Sequence, residues 1–350
     1  TMAELNTGAD LNTDPILIWG AGAIGGTLAA YWARAGQDVL LVDIVPEHVE
    51  ACRTDGLAIE GPVEEFKIAI PAVTPEELTG TFSRIVLSVK AQHTPAAAAA
   101  LAPHLAADGY VLSAQNGLNE IEIARHVGAG RVMGCFVNFS ADWHGPGRIM
   151  FGSRGAVVVG ETEGPTRERT HAMFELLKIF EPDAVLTDNI WGYLWGKLAY
   201  GSMLFATALN MDSMTANFDD PARFPVWRKL GAEVLSATAA RKIEPVGFNG
   251  YEPHCFGASA SEADARDSIA KLADFNRHSA KTHSGIWRDL AVRKRTTEID
   301  MQIKIIADLA GEVGVETPAI DKLVELIHDI EEGRREQSME TFGALLAVCE

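Results

Sequence analysis

A glycine-rich segment near the start of the chain has the spacing of a dinucleotide-binding turn. Gly20, Gly22 and Gly25 form a GxGxxG pattern directly after the apolar residues 16–19. The first glycine permits a tight turn, the second lets backbone approach a pyrophosphate, and the third allows a helix to pack closely on a strand. The following helix would direct its first amide groups at the phosphates, although a purely structural turn is the alternative. The predicted cofactor contacts are Gly20, Gly22, Ala23, Ile24 and Gly25.

An acidic residue follows the second apolar run, residues 39–42. Asp43 lies 18 positions after Gly25. A carboxylate there would accept hydrogen bonds from the adenosine ribose 2′-hydroxyl and repel a 2′-phosphate. This favours NAD, with NADP left open because His48 and Arg53 are basic residues nearby in sequence. The alternative role for Asp43 is that of a helix cap or a surface carboxylate.

Polar residues also end the next two predicted strands. Lys90 follows residues 84–89, and Asn116 follows residues 110–113 with two intervening positions. In open α/β sheets the carboxyl edge binds ligands, so Lys90 is predicted to contact the cofactor or a substrate carboxylate. Asn116 is predicted to fix the nicotinamide end of the cofactor. The alternatives are an exposed loop lysine and a turn-forming Asn-Gly pair.

Lys197 is a candidate for proton transfer. It lies in residues 191–205, a helical segment that is apolar on nearly every face, and Gly196 and Gly201 would leave room for a ligand beside it. A lysine in such a helix either extends to the surface or is partly buried and functional as a general acid. Glu298 has a sufficient structural interpretation by itself, because acidic residues suit the first turn of a helix that begins after Thr297.

The composition excludes several classes of function. The 350 residues carry 30 Lys and Arg against 48 Asp and Glu, a formal charge of −18, which argues against nucleic-acid partners and anionic membrane surfaces. Neither a membrane-spanning run nor a secretory signal is recognisable, so we expect a cytoplasmic protein. The four cysteines and the histidines form no metal-ligand spacing, so no metal is predicted.

Short apolar runs alternate with helical stretches up to about residue 188, and the strand signal then disappears. This pattern predicts an α/β fold, in which a Rossmann-type doubly wound parallel sheet precedes an all-helical domain. Two hairpins are expected, one from residues 57–62 and 66–71, the other from residues 148–152 and 155–160. The predicted organisation is a disordered tail at 1–14, a dinucleotide-binding domain at 15–188 and a helical substrate and catalytic domain at 189–350.

Five ordered motifs together resemble the ketopantoate reductase (2-dehydropantoate 2-reductase) family. They begin at Gly20, Ser88, Gln115, Trp195 and Arg295, and read GAGAIGG, SVK, QNG, WGKL and RTTEID. The resemblance implies a Rossmann domain followed by a helical domain, with the active site in the cleft between them. It further implies that Lys197 gives a proton to the alkoxide as hydride reaches C2 of a 2-keto acid. Glu298 would orient the substrate hydroxyl and pair with Lys197, and Lys90 and Asn116 would contact both cofactor and substrate.

The chain departs from the family pattern where the substrate would bind. The family carries an asparagine one turn after the lysine and another a turn later, and these positions hold Gly201 and Phe205, or Leu204 in a slightly different register. Loss of the amide pair would weaken recognition of a small hydroxylated keto acid. The remaining predicted substrate contacts are Gly201, Ser202 and Ser284.

We therefore predict an NAD-preferring dehydrogenase that interconverts a 2-hydroxy acid, or a related hydroxylated compound, and its 2-keto form. One alternative is 2-dehydropantoate 2-reductase itself, with Ser202 or Asn210 replacing the missing amides. An alternative of another class is a non-catalytic NAD-binding sensor. Family members occur as monomers and dimers, so a homodimer is a possible assembly.

Overall fold

The computed structural model describes residues 14–279 and 281–350. Its contacts divide the chain into two compact units. Among the described residues, the first contains 14–115 and Glu120–Asp188, and the second contains Asn116–Asn119 and the chain from Asn189 onward. The main division thus falls at residue 188, where the strand signal disappears from the sequence. The short Asn116–Asn119 segment, expected in the first domain, is instead grouped with the helical unit.

The predicted tail, residues 1–14, lies outside the described residues except for Asp14. That residue is part of the fold, because its carboxylate accepts a hydrogen bond from the backbone N–H of Ser83 at 2.5 Å. Its carbonyl oxygen accepts a second one from the Arg84 guanidinium at 2.7 Å. Asp14, which the sequence assigned to the tail, is therefore bound to the start of β6.

The first unit is built on an eight-stranded main sheet with the strand order β12-β11-β8-β7-β6-β1-β2-β5. Its neighbouring strands are parallel except for β11, which is antiparallel to β8. This confirms the predicted Rossmann-type sheet. The strands of the unit are β1 (Ile16–Trp19), β2 (Val39–Val42), β3 (Leu57–Glu60), β4 (Phe66–Ile68), β5 (Ala72–Val73), β6 (Phe82–Leu87), β7 (Leu105–Ser113), β8 (Val132–Val137), β9 (Ser140–Gly145), β10 (Arg148–Ser153), β11 (Val157–Glu161) and β12 (Val185–Leu186).

Helices cover both faces of this sheet, and the side chains of β1 alternate between the two faces. Ile16 and Ile18 point into one buried apolar cluster, whereas Leu17 and Trp19 point into the other. Successive strand side chains alternate between faces, so an uninterrupted apolar run indicates a strand buried on both sides. The helices of this part are α1 (Ala23–Arg34), α2 (Pro46–Thr54), α3 (Thr94–Leu101), α4 (Asn119–Val127) and α5 (Glu168–Phe180).

A second, four-stranded sheet has the order β4-β3-β10-β9. The predicted β3–β4 hairpin is present, with Leu57 opposite Ile68. The other predicted hairpin is wrong. β10 pairs with β9 across a turn in which Gly145 and Gly147 have positive φ angles. β11 instead joins the main sheet, and all five of its residues are buried, as suits its continuous run of valines.

The regular structure of the second unit is helical over the described residues, as predicted, apart from an isolated β-bridge between Phe248 and Tyr251. Its helices are α6 (Ile190–Thr207), α7 (Met214–Asp219), α8 (Phe224–Ala240), α9 (Glu262–Arg277), α10 (Gly285–Arg288), α11 (Ile305–Glu312), α12 (Pro318–Glu331) and α13 (Met339–Cys349), with π-helical turns at Asp289–Arg293 and Asp300–Lys304. α6, which carries Lys197, packs on α8, α10, α12 and the second π-helical turn. Across the described ranges, no helix combines the length and the apolar character that a bilayer span requires.

Candidate active site

The glycine-rich turn connects β1 to α1 at the carboxyl end of the strand. Gly20 has φ +97° and donates its N–H to the carbonyl of Val42 at 2.8 Å, which continues the β1–β2 pairing into the turn. A Cβ on Gly25 would collide with the Gly20 carbonyl and with the Ser88 hydroxyl. Only glycine fits at these two positions, for backbone conformation at the first and for close packing at the second.

The start of α1 fits a pyrophosphate. Gly22, the N-cap residue, has open space where a Cβ would be, and no side chain caps the helix. The first N–H groups of an α-helix have no acceptor within the helix, and the helix dipole favours an anion there. Ala23 and Ile24 are half-buried, so the turn is accessible to a ligand. The predicted contacts of the turn thus lie together around one helix N-terminus.

Two side chains from neighbouring strands hold the turn. Asp43, directly after β2, accepts the backbone N–H of Ala21 at 2.9 Å through one carboxylate oxygen. Its other oxygen accepts the N–H of Val45, the residue that precedes α2, at 3.0 Å. Ser88, just after β6, donates its hydroxyl to the carbonyl of Gly20 at 2.8 Å. The sequence interpretation did not assign this role to Ser88, which reaches a residue 68 positions earlier.

The ends of β6 and β7 are joined by Gln115. Its side-chain amide donates to the Val89 carbonyl and to the Thr94 hydroxyl, both at 2.8 Å. The amide is a positioning group that sequence reasoning missed, because its partners lie more than 20 residues away. Lys90 is exposed at the carboxyl edge of the same sheet. Asn116 follows Gln115 directly and begins the segment that is grouped with the helical unit.

Within the helical unit, Lys197 and Asn116 are brought together. The Lys197 ammonium nitrogen donates to the Asn116 side-chain oxygen at 2.7 Å, although 81 residues separate them. Asn189 caps the start of α6 by accepting the N–H of Gly192 at 3.1 Å, which fixes where the helix begins. Lys197 is half-buried, and Asn116 is exposed. A lysine in this apolar helix is therefore neither a core residue nor fully solvated.

Glu298 begins the helical stretch that runs through the π-helical turn into α11. One of its carboxylate oxygens accepts a hydrogen bond from the side-chain amide of Gln302 at 3.1 Å. Gly117, with φ +99°, brings the Asn116 loop against this stretch, since a Cβ on it would lie 3.1 Å from the Met301 carbonyl. α6 packs on the same π-helical turn. The loop of Asn116 therefore contacts both the helix of Lys197 and the helical stretch that Glu298 begins.

Comparison with known proteins identifies the relatives of this arrangement. The chain matches the family model for ketopantoate reductase PanE/ApbA over residues 16–164. It matches the model for the C-terminal part of the same family over residues 189–331. The chain belongs to the ketopantoate reductase family.

Curated relatives of this family member include the 2-dehydropantoate 2-reductases of Mesorhizobium japonicum and Streptococcus pyogenes. The first is 26% identical over 337 residues, and the second, from serotype M1, is 22% identical over 315 residues. Each alignment covers 89% of this chain and 96% of the relative. Family membership makes the chain an NAD(P)-dependent oxidoreductase that acts on the CH–OH group of hydroxy acids or on the matching keto acids.

Solved structures share the fold. A D-mandelate dehydrogenase with NADH and anilino(oxo)acetate superimposes with a TM-score of 0.76 at 22% identity, over 91% of this chain and 99% of that one. A PanE/ApbA family ketopantoate reductase from Ralstonia eutropha JMP134 gives a TM-score of 0.75 at 23% identity, over 92% and 100%. The two-part architecture predicted from the sequence is thus that of the ketopantoate reductase family.

One face of α6 carries the departures from the ketopantoate reductase pattern. This face consists of half-buried residues that recur every three or four positions, namely Tyr193, Lys197, Gly201 and Leu204. Such spacing places them on one side of the helix. Phe205 is 1% exposed and points into the core. Leu204, rather than Phe205, therefore shares the half-buried face of α6 with Lys197 and Gly201.

The two glycines beside Lys197 differ in what surrounds them. Gly201 has open space where a Cβ would be. A Cβ on Gly196 would collide with the carbonyl of Val246, so this glycine serves backbone packing and leaves no room for a ligand. The expectation for Gly196 was wrong, because the loop before α9 already fills that side of the helix.

Three polar side chains proposed for substrate have structural partners instead. Ser202 is fully buried and donates its hydroxyl to the Ala199 carbonyl at 2.6 Å, on the core side of α6. Asn210 is buried and exchanges amide hydrogen bonds with Asn217 at 2.7 and 3.1 Å. Ser284, 6% exposed, caps α10 by accepting the N–H of Trp287 at 3.1 Å. Ser202 and Ser284 are therefore buried and bound to these backbone groups, and their substrate contacts remain predictions.

Proposed function

We propose that this protein transfers hydride between a nicotinamide cofactor and C2 of a 2-keto or 2-hydroxy acid, with Lys197 as the general acid and base. The observation that carries the proposal is the 2.7 Å hydrogen bond between the Lys197 ammonium and Asn116. It fixes an amine in one place on the half-buried face of α6, and its partner Asn116 directly follows Gln115 in the chain. A positioned amine is what proton transfer to a carbonyl oxygen requires.

The bound nicotinamide ring would supply or accept the hydride, and the protein would manage the proton. In the reducing direction negative charge develops on the substrate oxygen, and the Lys197 ammonium stabilises it and gives it a proton. In the oxidising direction the neutral amine takes the alcohol proton. Asn116 orients the Lys197 nitrogen by accepting one of its N–H groups. We assign Glu298 the orientation of the substrate hydroxyl, since its helical stretch packs against the loop of Asn116.

We propose NAD as the preferred cofactor, on the environment of Asp43. The carboxylate is half-buried at the end of β2 and is already fixed by the glycine-rich turn. Arg53 is paired with Glu50 at 2.7 Å and lies 3.7 Å from Glu77, so its charge is compensated. His48 is 1% exposed and faces backbone groups. Neither basic residue favours a 2′-phosphate, and Asp43 would repel one.

We further propose a substrate with a bulky or apolar substituent next to the keto or hydroxyl carbon. The face of α6 beside Lys197 offers the open space at Gly201 and the aliphatic side chain of Leu204. Two asparagine amides there would bind a small hydroxylated chain, whereas this surface lacks those amides. Mandelate, the substrate in the name of one structural neighbour, has such a substituent. The second candidate is ketopantoate, which the curated relatives reduce by name.

Initial rates with NADH and NADPH, each tested on phenylglyoxylate and on ketopantoate, distinguish these possibilities. The proposal predicts turnover of phenylglyoxylate with NADH at a kcat/KM of about 10⁴ M⁻¹s⁻¹ or more. Faster turnover of ketopantoate would establish 2-dehydropantoate 2-reductase instead. Tight NADH binding without turnover of any keto or hydroxy acid would favour a sensor.

We also propose a homodimer in a reducing compartment such as the cytoplasm. A dimeric ketopantoate reductase from Staphylococcus aureus shares the fold with a TM-score of 0.66 at 18% identity. All four cysteines of this chain are free thiols, and three are buried, as suits a reducing environment. Light scattering after size-exclusion chromatography would give about twice the monomer mass for a dimer.

A further inference from the structure

Ala21, between the first two glycines of the turn, is held from two sides. Asp43 accepts its N–H at 2.9 Å, and the Nε2 atom of His48 lies 2.7 Å from its carbonyl oxygen. Ala21 is 1% exposed, so water does not substitute for either partner. An unpaired buried carbonyl would cost free energy, which makes the histidine contact part of the structure of the turn.

The hydrogen bonds of His48 define its protonation state. The backbone N–H of Gly147 lies 2.9 Å from Nδ1. Because a backbone N–H can only donate, Nδ1 must be the acceptor, and the ring proton is on Nε2, where it is donated to Ala21. Cys52, which lies 3.9 Å from the ring, is neutral too, since burial raises the pKa of its thiol to about 12. His48 is therefore a neutral imidazole in one tautomer.

The partner of Nδ1 comes from the second sheet. Gly147 lies in the turn between β9 and β10 and has φ +69°. A Cβ there would lie 2.9 Å from the Cβ of Ala51 in α2, so a glycine brings this N–H close to the helix that carries His48. The ring of Trp143 on β9 packs edge-on against the imidazole at 5.8 Å between centroids. The second sheet thus supports the orientation of His48.

We infer that His48 is a positioning residue for the cofactor: it locks the Ala21 peptide, and with it the Gly20–Gly22 turn, in the conformation that presents the start of α1 to a pyrophosphate. This inference rests on the proposed dinucleotide binding. Since both ring nitrogens are engaged by buried backbone groups, His48 takes no part in proton transfer. Its effect falls on cofactor affinity through pre-organisation of the turn.

Two conservative substitutions separate the two hydrogen bonds of His48. His48→Gln can place an amide N–H near the position of Nε2 and retain the bond to Ala21, but it lacks the acceptor for Gly147. His48→Asn can retain an acceptor near Nδ1 but does not reach Ala21. Each variant keeps a polar side chain and one of the bonds, so both are expected to fold, which circular dichroism would check. His104→Asn is the matched control, since His104 contacts the Gly80 carbonyl elsewhere in the same unit at 2.9 Å.

The measurement is the Kd of NADH by fluorescence titration, together with KM for NADH and kcat. We expect His48→Asn to raise Kd and KM about tenfold with kcat at saturating NADH nearly unchanged, and His48→Gln to stay within about threefold of the parent protein. The control should match the parent protein. A folded His48→Asn variant with the parent Kd would overturn the inference, as would equal weakening in both variants. Failure of the parent protein to bind NADH or NADPH would instead refute the proposed function.

Discussion

The burial of Glu120, just beyond the end of β7, leads to a quantitative prediction of how stability depends on pH. This residue is in the first turn of α4, directly after the segment that contains Asn116, and it is 1% exposed. Neither carboxylate oxygen has a hydrogen-bond partner among the described residues. The Ser113 hydroxyl donates its proton to Gln115 at 3.1 Å. Burial raises the pKa of Glu120 from 4.5 to about 8.

The raised pKa makes stability depend on pH in a defined direction. Between pH 4.5 and 8 the folded protein keeps the proton of Glu120, whereas the unfolded chain releases it. The folded state binds the extra proton, so the contribution of Glu120 to the free energy of unfolding falls by about 1.4 kcal/mol for each pH unit inside this window. From pH 5 to pH 8 the contribution of this one group is about 4 kcal/mol, and it levels off above pH 8.

Glu120→Gln removes this titration while it keeps the volume of the side chain. We expect the variant to gain stability relative to the parent protein by about 4 kcal/mol between pH 5 and pH 8. The comparison across pH cancels the pH-independent effect of burying an amide. Urea unfolding of both proteins at each pH unit, followed by tryptophan fluorescence, measures the difference.

The matched control is Glu122→Gln, in the same helix, where Glu122 forms a surface ion pair with Arg125 at 2.6 Å. Its stability difference from the parent protein should vary by less than about 1 kcal/mol over the same range, because surface pairs contribute little. If Glu120→Gln also shows a constant difference from pH 5 to pH 8, Glu120 is not the buried neutral acid that the structure indicates.

Two predictions address cofactor and substrate choice. Asp43→Ser should raise kcat/KM for NADPH about tenfold and lower kcat/KM for NADH, because it removes the charge that repels a 2′-phosphate. The control is Glu47→Gln, since Glu47 is an exposed acid in α2. An unchanged ratio of the two kcat/KM values in Asp43→Ser would contradict the preference for NAD. Gly201→Asn should lower kcat/KM for phenylglyoxylate and raise it for ketopantoate, each about tenfold, because an amide would fill the open space beside Lys197. Parallel initial rates on both acids measure the second effect, and a variant with the parent ratio would show that Gly201 does not face the substrate.

The sequence predicted what depends on local pattern. The alternation of apolar runs and helices gave the order of elements, and the glycine spacing located the turn before α1. The hairpin predicted from residues 148–160 failed because two consecutive strands joined different sheets, and strand pairing depends on distant partners. For the same reason, the sequence identified Lys197 and Asn116 as separate candidates but did not predict the hydrogen bond between them, which spans 81 residues. Ser202 looked available from its type alone, whereas the helical phase of α6 turns it into the core.

Lys197→Ala tests most directly whether Lys197 transfers the proton. Lys322→Ala is the control, because that lysine forms an ion pair with Glu325 in α12, at 2.9 Å. The turnover number should be measured with the best keto acid at saturating NADH, alongside the Kd of NADH. If Lys197 transfers the proton, kcat should fall by a factor of about 10² to 10⁴ in Lys197→Ala, while the Kd for NADH stays unchanged and the control matches the parent protein. A kcat within tenfold of the parent protein would contradict this role.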